Sequence, residues 1–199
     1  MKKIVTDISA RDKKFARLIS EHPLCTLGRN PKTVTHFESL VESVISQQLA
    51  VKAADTIFLR LKKLARGRIT PNSIARISES EMREAGVSSA KYKTLQGLAE
   101  AGLSKTILFS SLHEIEEDQV IFDSLTALWG IGPWTVDMFM MHQLARLDVW
   151  PTGDLGVRRG WEKIHALDTQ ITPSELDRKG EKFRPYRSVV AWYCWRAIS

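Results

Sequence analysis

Residues 125–136 have the sequence LTALWGIGPWTV, and this stretch decides how the chain around it folds. Gly130 and Gly132 flank one apolar residue, so the backbone can reverse tightly between two helices. The second helix begins there with unpaired N–H groups and a positive dipole end, the usual setting for a bound phosphate. We predict a helix–hairpin–helix over about residues 124–141, with Ile131 buried as the pin between its helices. A plain helical hairpin and a DNA-binding hairpin both fit, and DNA is the more specific hypothesis.

Helix-start and helix-stop residues recur along the rest of the chain, whereas alternating strand patterns do not. Thr35 and Glu38 form a capping-box pattern before an apolar stripe that breaks at residues 46–48 and resumes at Ala54. Two helices joined by a short polar corner are therefore expected there. Further on, one helix should end near Trp129 and the last should start at Pro185. The overall prediction is an all-α fold of roughly ten short helices.

We expect these helices to form two lobes. Residues 36–150, with the helix–hairpin–helix, form the first. Residues 1–35 together with 151–199 form the second. The length of 199 residues suits two small lobes and makes a larger multidomain assembly improbable.

Charge and cysteine content narrow the function classes. Twenty-nine Lys and Arg against 23 Asp and Glu leave a net charge of +6, which permits a nucleic-acid partner without requiring one. Cys25 and Cys194 are too few for a structural zinc site or a four-cysteine iron–sulfur cluster, and the five histidines show no metal spacing. We therefore expect no side-chain metal site and no cofactor. No segment is long and apolar enough for a membrane span, and the start lacks a signal-peptide core, so a cytoplasmic protein is expected, nucleoid-associated if bacterial.

A second informative stretch is PTGDLGVRRG at residues 151–160. Asp154 falls in the first turn of a predicted helix, where an aspartate is most often a simple cap. Arg158 and Arg159 follow one turn later. They could contact a phosphate, although a solvated basic helix face is the commoner use of such a pair.

Four motifs in order carry a family resemblance: ISQQL at residues 45–49 before KAA at 52–54, WGIGPWT at 129–135, PTGD at 151–154 and RPYRS at 184–188. From about residue 20 to its end the chain resembles the helix–hairpin–helix DNA glycosylases that have a Gly/Pro-rich loop and an Asp. Within them it is similar to the DNA-3-methyladenine glycosylase II branch. The resemblance implies a DNA-facing cleft between two helical lobes, double-stranded DNA with alkylated bases as the partner, and a monomer. It also allows a monovalent cation at the backbone of Gly130 and Gly132.

The resemblance also suggests roles for individual residues. Asp154 would be the catalytic carboxylate, with Asp137 as the competing candidate. Trp134, Met138 one turn later, and Trp195 would line the pocket for a flipped base, and for Trp195 a core position is an equally good interpretation. Gln48 resembles the wedge that fills the vacated stack, and Leu49 is the neighbour that could do so instead. The list of DNA-contacting residues is then Gln48, Leu49, Gly130, Ile131, Gly132, Arg158 and Arg159.

One departure from the superfamily predicts the type of reaction. Members that also cut the strand have a Lys in the first turn after the hairpin, and here that position is Trp134. We therefore expect a monofunctional glycosylase that hydrolyses the N-glycosidic bond of alkylated purines, of the 3-methyladenine and 7-methylguanine type, and leaves an abasic site. The alternatives are a non-catalytic helix–hairpin–helix DNA-binding protein, and a glycosylase of the same fold that acts on deaminated or mismatched bases.

Overall fold

The computed structural model describes residues 1–28 and 33–199, and the regular elements in these ranges are all helical. The prediction of an all-α fold is confirmed. The described helices are α1 (Lys2–Arg11), α2 (Lys13–Glu21), α3 (His36–Ser46), α4 (Val51–Leu64), α5 (Pro71–Ala75), α6 (Glu79–Glu84), α7 (Ser89–Leu103), α8 (Asp118–Thr126), α9 (Pro133–His142), α10 (Leu155–His165), α11 (Pro173–Gly180) and α12 (Arg187–Ala197), with 3₁₀ segments at Phe109–Glu114 and Glu181–Phe183. None of them has the length and apolar character needed to cross a bilayer.

Side-chain caps explain where several helices begin. The Ser78 hydroxyl accepts from the backbone N–H of Glu81 and the Glu81 carboxylate accepts from that of Ser78, a complete capping box for α6. At α3 the Thr35 hydroxyl accepts from the backbone N–H of Glu38. The Glu38 carboxylate, however, lies 2.7 Å from Lys62 Nζ on α4. The predicted box at α3 is therefore formed only by its Thr35 half, because an ion pair engages the Glu38 side chain.

Two helix ends differ from the prediction. The helix before the hairpin ends at Thr126 rather than Trp129, since the chain already turns there and the Ile131 N–H bonds to the carbonyl of Leu128. The last helix starts at Arg187 rather than Pro185. In its first turn the N–H of Ser188 bonds to the Leu147 carbonyl, so this turn is joined to another segment.

The chain divides into two compact units. The terminal unit consists of Met1–Pro31 and Met140–Ser199, and the central unit is Lys32–Phe139. The border was expected at residue 150, whereas the stretch from Met140 onward belongs to the terminal unit. One contact between this stretch and α12 of the terminal unit is the hydrogen bond from the Val149 N–H to the Ser188 hydroxyl, at 2.8 Å.

The core of the central unit lies between α3 and α7. The apolar face of α3 buries Leu40, Val41 and Val44, and α7 contributes Leu95 and Leu98. These positions follow the helical spacing of the sequence, so burial of one face accounts for the packing of both helices.

The core of the terminal unit is aromatic. The Phe15 ring lies 5.7 Å from Trp161 and 5.4 Å from Phe183, centroid to centroid. Helices α10 and α12 approach closely because Gly160 has no side chain, and a Cβ atom there would overlap the backbone of Cys194. This close approach fixes α10, which begins at Asp154, against α12.

Candidate functional site

The two hairpin glycines have different structural roles. Gly130 has φ of +82°, and a Cβ atom there would overlap the hydroxyl of Thr94 on α7. A Cβ atom on Gly132 would meet no atom within 4 Å, and the Gly132 carbonyl accepts the N–H of Thr135 at the start of α9. Gly130 is thus required by the fold itself, whereas Gly132 leaves open space in front of the backbone. Ile131 is 4% exposed, which confirms its predicted burial.

Helix α9 displays the first two predicted pocket residues. Trp134 is 47% exposed and lies in the first turn of α9. Met138 is half-buried, four residues later, and therefore lies on the same helix face. Asp137, the competing acid, is also half-buried and, three residues after Trp134, lies on the same side of α9 as well.

The predicted wedge lies in the corner between α3 and α4, residues Gln47–Ala50, called here the α3–α4 corner. Gln48 is exposed and has φ of +56°, and Leu49 is 39% exposed. The neighbouring Gln47 side chain donates to the Gly130 carbonyl at 3.2 Å and to the Thr135 hydroxyl at 3.1 Å. The sequence analysis located Gln47 in the polar corner but predicted no role for it. Its hydrogen-bond partners lie 83 and 88 residues away along the chain, so no local pattern indicates them.

Lys91 is a second residue that the sequence did not identify. Its ammonium donates to the Ile45 carbonyl at 2.7 Å and to the Gln47 carbonyl at 2.9 Å. Burial lowers the pKa of Lys91 from its ordinary value. No local pattern could have indicated this contact, since a lone lysine at the start of α7 is normally solvated.

In the terminal unit, Asp154 is held by two donors. It is the N-cap of α10, and its Oδ1 atom accepts the Val157 N–H at 2.8 Å and the indole Nε1–H of Trp195 at 2.9 Å. Asp154 therefore does cap α10, and the same oxygen also accepts a hydrogen bond from a tryptophan 41 residues away in the chain. Gly156 makes this approach possible, because a Cβ atom there would lie 2.8 Å from Trp195 Cδ1.

Trp195 is half-buried and not fully part of the core. The exposed His142 ring stacks on it with 5.9 Å between centroids and 26° between planes. The preceding residue, Cys194, is fully buried, and burial together with the charge of Asp154 raises the pKa of its thiol. The Asp154 carboxylate thus lies beside an aromatic ring and a thiol that stays protonated.

The two arginines after Asp154 differ in exposure. Arg159 is exposed, whereas Arg158 is half-buried and its Nε is buried with no hydrogen-bond partner in the described part of the chain. A buried guanidinium nitrogen without an acceptor is costly. The exposed Arg159 guanidinium is the more accessible of the two to an anionic ligand.

The structure thus groups the predicted residues by unit. Asp154, Arg158 and Trp195 belong to the terminal unit, and the α3–α4 corner, the hairpin glycines, Trp134 and Met138 belong to the central unit. Among residues 1–28 and 33–199, no group of three or more His, Cys, Asp or Glu side chains could hold a metal ion. The backbone cation at Gly130 and Gly132 stays a prediction.

A comparison with known families bears on the corner and hairpin of the central unit and on the capped aspartate of the terminal unit. Residues 41–185, more than half of the chain, match the model of the HhH-GPD superfamily base excision DNA repair proteins. The chain belongs to this superfamily. The matched range includes the α3–α4 corner, the hairpin and Asp154, so the predicted family resemblance is confirmed.

Curated proteins and solved structures that are similar to this HhH-GPD protein include several 3-methyladenine glycosylases. DNA-3-methyladenine glycosylase 1 of Schizosaccharomyces pombe is 33% identical over 191 residues, which are 95% of this chain and 84% of that protein. The structure of an S. pombe 3-methyladenine DNA glycosylase in complex with abasic DNA has a TM-score of 0.85 at 32% identity, covering 98% of this chain and 95% of that one. A DNA-3-methyladenine glycosidase from Bacillus halodurans has a TM-score of 0.86 at 33% identity, covering 98% and 88%.

Proposed function

We propose that this HhH-GPD protein excises alkylated purines, of the 3-methyladenine and 7-methylguanine type, from double-stranded DNA. It would hydrolyse the N-glycosidic bond and leave an abasic site. The similar proteins named as 3-methyladenine glycosylases support this substrate class, and one of them was solved with abasic DNA. The monomeric state expected from the sequence stays a prediction.

The observation that carries the proposal is the geometry of Asp154. Its carboxylate is fixed by the Val157 N–H and by the Trp195 indole, so its position is set before any substrate arrives. A carboxylate held in place stabilises developing positive charge without reorganising. A module that only grips phosphates has no need of such a group.

The reaction follows from the charge of the substrate. A purine alkylated on N3 or N7 is cationic, so the electron pair of its bond to C1′ leaves with the base and yields a neutral product. Positive charge then develops on the deoxyribose, where the Asp154 carboxylate stabilises it, as in sugar hydrolysis. Asp154 also orients or deprotonates the water that attacks C1′.

The pocket role of the tryptophans rests on charge as well. An indole face attracts a cation through its quadrupole. A stacking role of Trp195 in the terminal unit, and separately of Trp134 in the central unit, would therefore favour an alkylated, cationic base over a neutral one. Met138 would add a polarizable contact on the face of α9 that carries Trp134. The base must leave the stack to reach these side chains, with Gln48 or Leu49 as the wedge.

Contacts with the DNA backbone would be of two kinds. Gly130 and Gly132 would present the backbone of the turn and the start of α9 to a phosphate. Ile131, whose N–H bonds to the Leu128 carbonyl, would hold the shape of the turn between them. The half-buried Arg158, whose Nε has no acceptor among residues 1–28 and 33–199, and the exposed Arg159 would contribute charge. Such contacts position the DNA without reading its sequence.

Base release from methylated DNA tests the proposal. The protein is incubated with methylated duplex DNA, and the released bases are separated by chromatography and identified. Free 3-methyladenine and 7-methylguanine are expected, and Asp154→Asn should release neither above background. Parallel duplexes with deaminated and mismatched bases test the alternative substrates.

Two results would contradict the proposal. Tight binding of methylated duplex without release of any base would indicate a DNA-binding protein alone. Release restricted to deaminated or mismatched bases would retain the enzyme class and replace the substrate class.

A further inference from the structure

The hairpin and the α3–α4 corner are joined by direct hydrogen bonds. The Gln47 amide donates to the Gly130 carbonyl, in the turn, and to the Thr135 hydroxyl, in the first turn of α9. One side chain therefore reaches both parts of the hairpin. Thr135 is 3% exposed, so this contact is shielded from competing water.

Helix α7 completes a closed ring of contacts. Its Lys91 ammonium donates to the carbonyls of Ile45 and Gln47 at the end of α3, which have no partner within that helix. A cation there also suits the negative end of the α3 dipole. One turn along α7, Thr94 packs so closely against Gly130 that no Cβ atom fits. The corner, the hairpin and α7 are thus each bound to the other two.

The corner needs this support because its backbone is strained. Gln48 lies in the left-handed region at φ of +56°, which a residue with a Cβ atom avoids. Such a conformation persists only where the surroundings impose it. Here the constraint comes from both sides of Gln47, through its side chain and through its carbonyl.

We propose that Gln47 and Lys91 are positioning residues that hold Gln48 and Leu49 rigidly relative to the hairpin. When the hairpin grips the DNA backbone, the exposed tip of the corner is then pressed into the base stack. This inference rests on the proposed function, and it names residues that act through the wedge and touch neither the base nor the sugar.

The physical reason is mechanical. Extruding a base costs a few kcal/mol of stacking and pairing. Binding energy gained at the phosphates can offset that cost only if the part that binds and the part that pushes move as one body. If the corner were loose, the phosphate contacts would stay intact, but Gln48 and Leu49 would be displaced and the base would stay stacked.

The test uses two substrates that differ only in how much extrusion they require. One carries the alkylated purine in a fully paired duplex, and the other carries it within a mismatched bubble, already unstacked. In single-turnover assays Gln47→Ala and Lys91→Met should release the base from the duplex roughly tenfold or more slowly, the effect of about one hydrogen bond to a strained segment. Release from the bubble should stay within a few-fold of wild type, and so should affinity for undamaged duplex.

The chain offers two matched controls. Gln96→Ala also removes an amide that donates to two carbonyls of the central unit, those of Ile74 and Ile77, both at 3.3 Å. It should leave the duplex-to-bubble ratio unchanged. Lys91→Arg keeps donors at the end of α3 and should restore most of the activity on duplex that Lys91→Met loses.

The outcomes separate this inference from the proposed function. Equal losses on duplex and bubble would indicate a purely structural role for Gln47 and Lys91 and overturn the inference, as would wild-type rates on duplex. Absence of base release by the wild-type protein from either substrate would instead overturn the proposed function. Fluorescence of 2-aminopurine placed in the duplex reports unstacking without chemistry, so a wild-type increase that is missing in Gln47→Ala would still support the positioning role.

Discussion

At the scale of single residues, Asp154 has a structural task in the fold and a second, chemical task in the proposed reaction. The same Oδ1 atom caps α10 and accepts the indole proton of Trp195. Capping needs only an oxygen acceptor, and Asn, Ser and Asp serve almost equally well. Catalysis of the proposed reaction needs the negative charge. The two tasks can therefore be separated by one substitution.

We expect Asp154→Asn to fold normally and to lose base release. The amide oxygen still caps α10, so thermal stability should change little. The charge opposite the developing oxocarbenium ion is gone, so the single-turnover rate should fall by ~10²-fold or more. Affinity for lesion-containing DNA should stay within a few-fold. A rate close to wild type would transfer the catalytic role elsewhere, with Asp137 as the first candidate.

Trp195→Phe should separate the hydrogen bond from the aromatic surface. Phenylalanine keeps a ring beside the carboxylate but cannot donate to Asp154 Oδ1. A hydrogen bond to a charged group contributes about 1.5–3 kcal/mol, so base release should slow by roughly tenfold or more. The rate is measured under single turnover, with Trp192→Phe on the same helix as the control. Equal effects of both substitutions would indicate that Trp195 matters only for packing.

At the scale of elements, the hairpin depends on α7 as much as on its own glycines. Gly130 is held by its positive φ and by Thr94, while Gly132 faces open space. The two glycines look equivalent in the sequence but are constrained differently. The fold requires a glycine at position 130, whereas at position 132 only the proposed phosphate contact would.

Substitution by alanine should show this difference. Gly130→Ala should lower the free energy of unfolding by about 1–3 kcal/mol through overlap with Thr94 and the unfavourable φ, as measured by denaturant unfolding. Gly132→Ala should leave stability nearly unchanged and weaken binding to lesion-containing and undamaged DNA alike. Loss of lesion discrimination alone in Gly132→Ala would place the hairpin in the base pocket and contradict its assignment to the phosphates.

Asp12 joins three elements of the terminal unit. Its Oδ1 atom caps α2 by accepting the Lys14 N–H at 2.9 Å. Its Oδ2 atom lies 2.8 Å from Lys182 Nζ and 3.2 Å from His165 Nε2. Burial by itself raises the pKa of Asp12, but the hydrogen bonds from Lys182 and His165 outweigh it, and the pKa falls from 3.8 to about 2.

The sign of this shift predicts acid sensitivity. A carboxyl group whose pKa is lower in the folded state contributes stability above its unfolded pKa, and that contribution is lost as the pH falls toward about 2. Asp12→Asn should therefore destabilise the protein at pH 7, by about 1–2 kcal/mol after allowance for solvent screening. It should also make unfolding less pH-dependent between pH 5 and pH 2. Parallel stability-against-pH curves for the two proteins would exclude this role.

At the scale of the whole molecule, the proposed chemistry ends at an intact abasic site. Strand cleavage in this superfamily needs a lysine amine that forms an imine with C1′, and the position for it holds Trp134, whose indole nitrogen is not basic. Borohydride added during turnover should therefore trap no protein–DNA adduct, and strands should break only after alkali or heat. A stoichiometric adduct, with its lysine mapped by mass spectrometry, would overturn the monofunctional assignment.

Local features of the fold and the family could be predicted from the sequence. The helix class, the hairpin, the buried Ile131 and the motif order depend on residues within a few positions of each other, where capping, helical periodicity and glycine conformation act. The exact helix ends could not. The first turn of α12 bonds to the Leu147 carbonyl of another segment, and the chain turns after α8 through the bond from the Ile131 N–H to the Leu128 carbonyl.

Only the tertiary structure showed which partners complete the candidate site. The indole that fixes Asp154 lies 41 residues away, and the carbonyl and hydroxyl that bind Gln47 lie 83 and 88 residues away. Lys91 reaches the end of α3 only because α7 packs beside it. Such contacts arise when apolar faces are buried together and bring distant polar groups within hydrogen-bond distance. The sequence shows which polar side chains are present, but it does not show which of them lie within hydrogen-bond distance of each other.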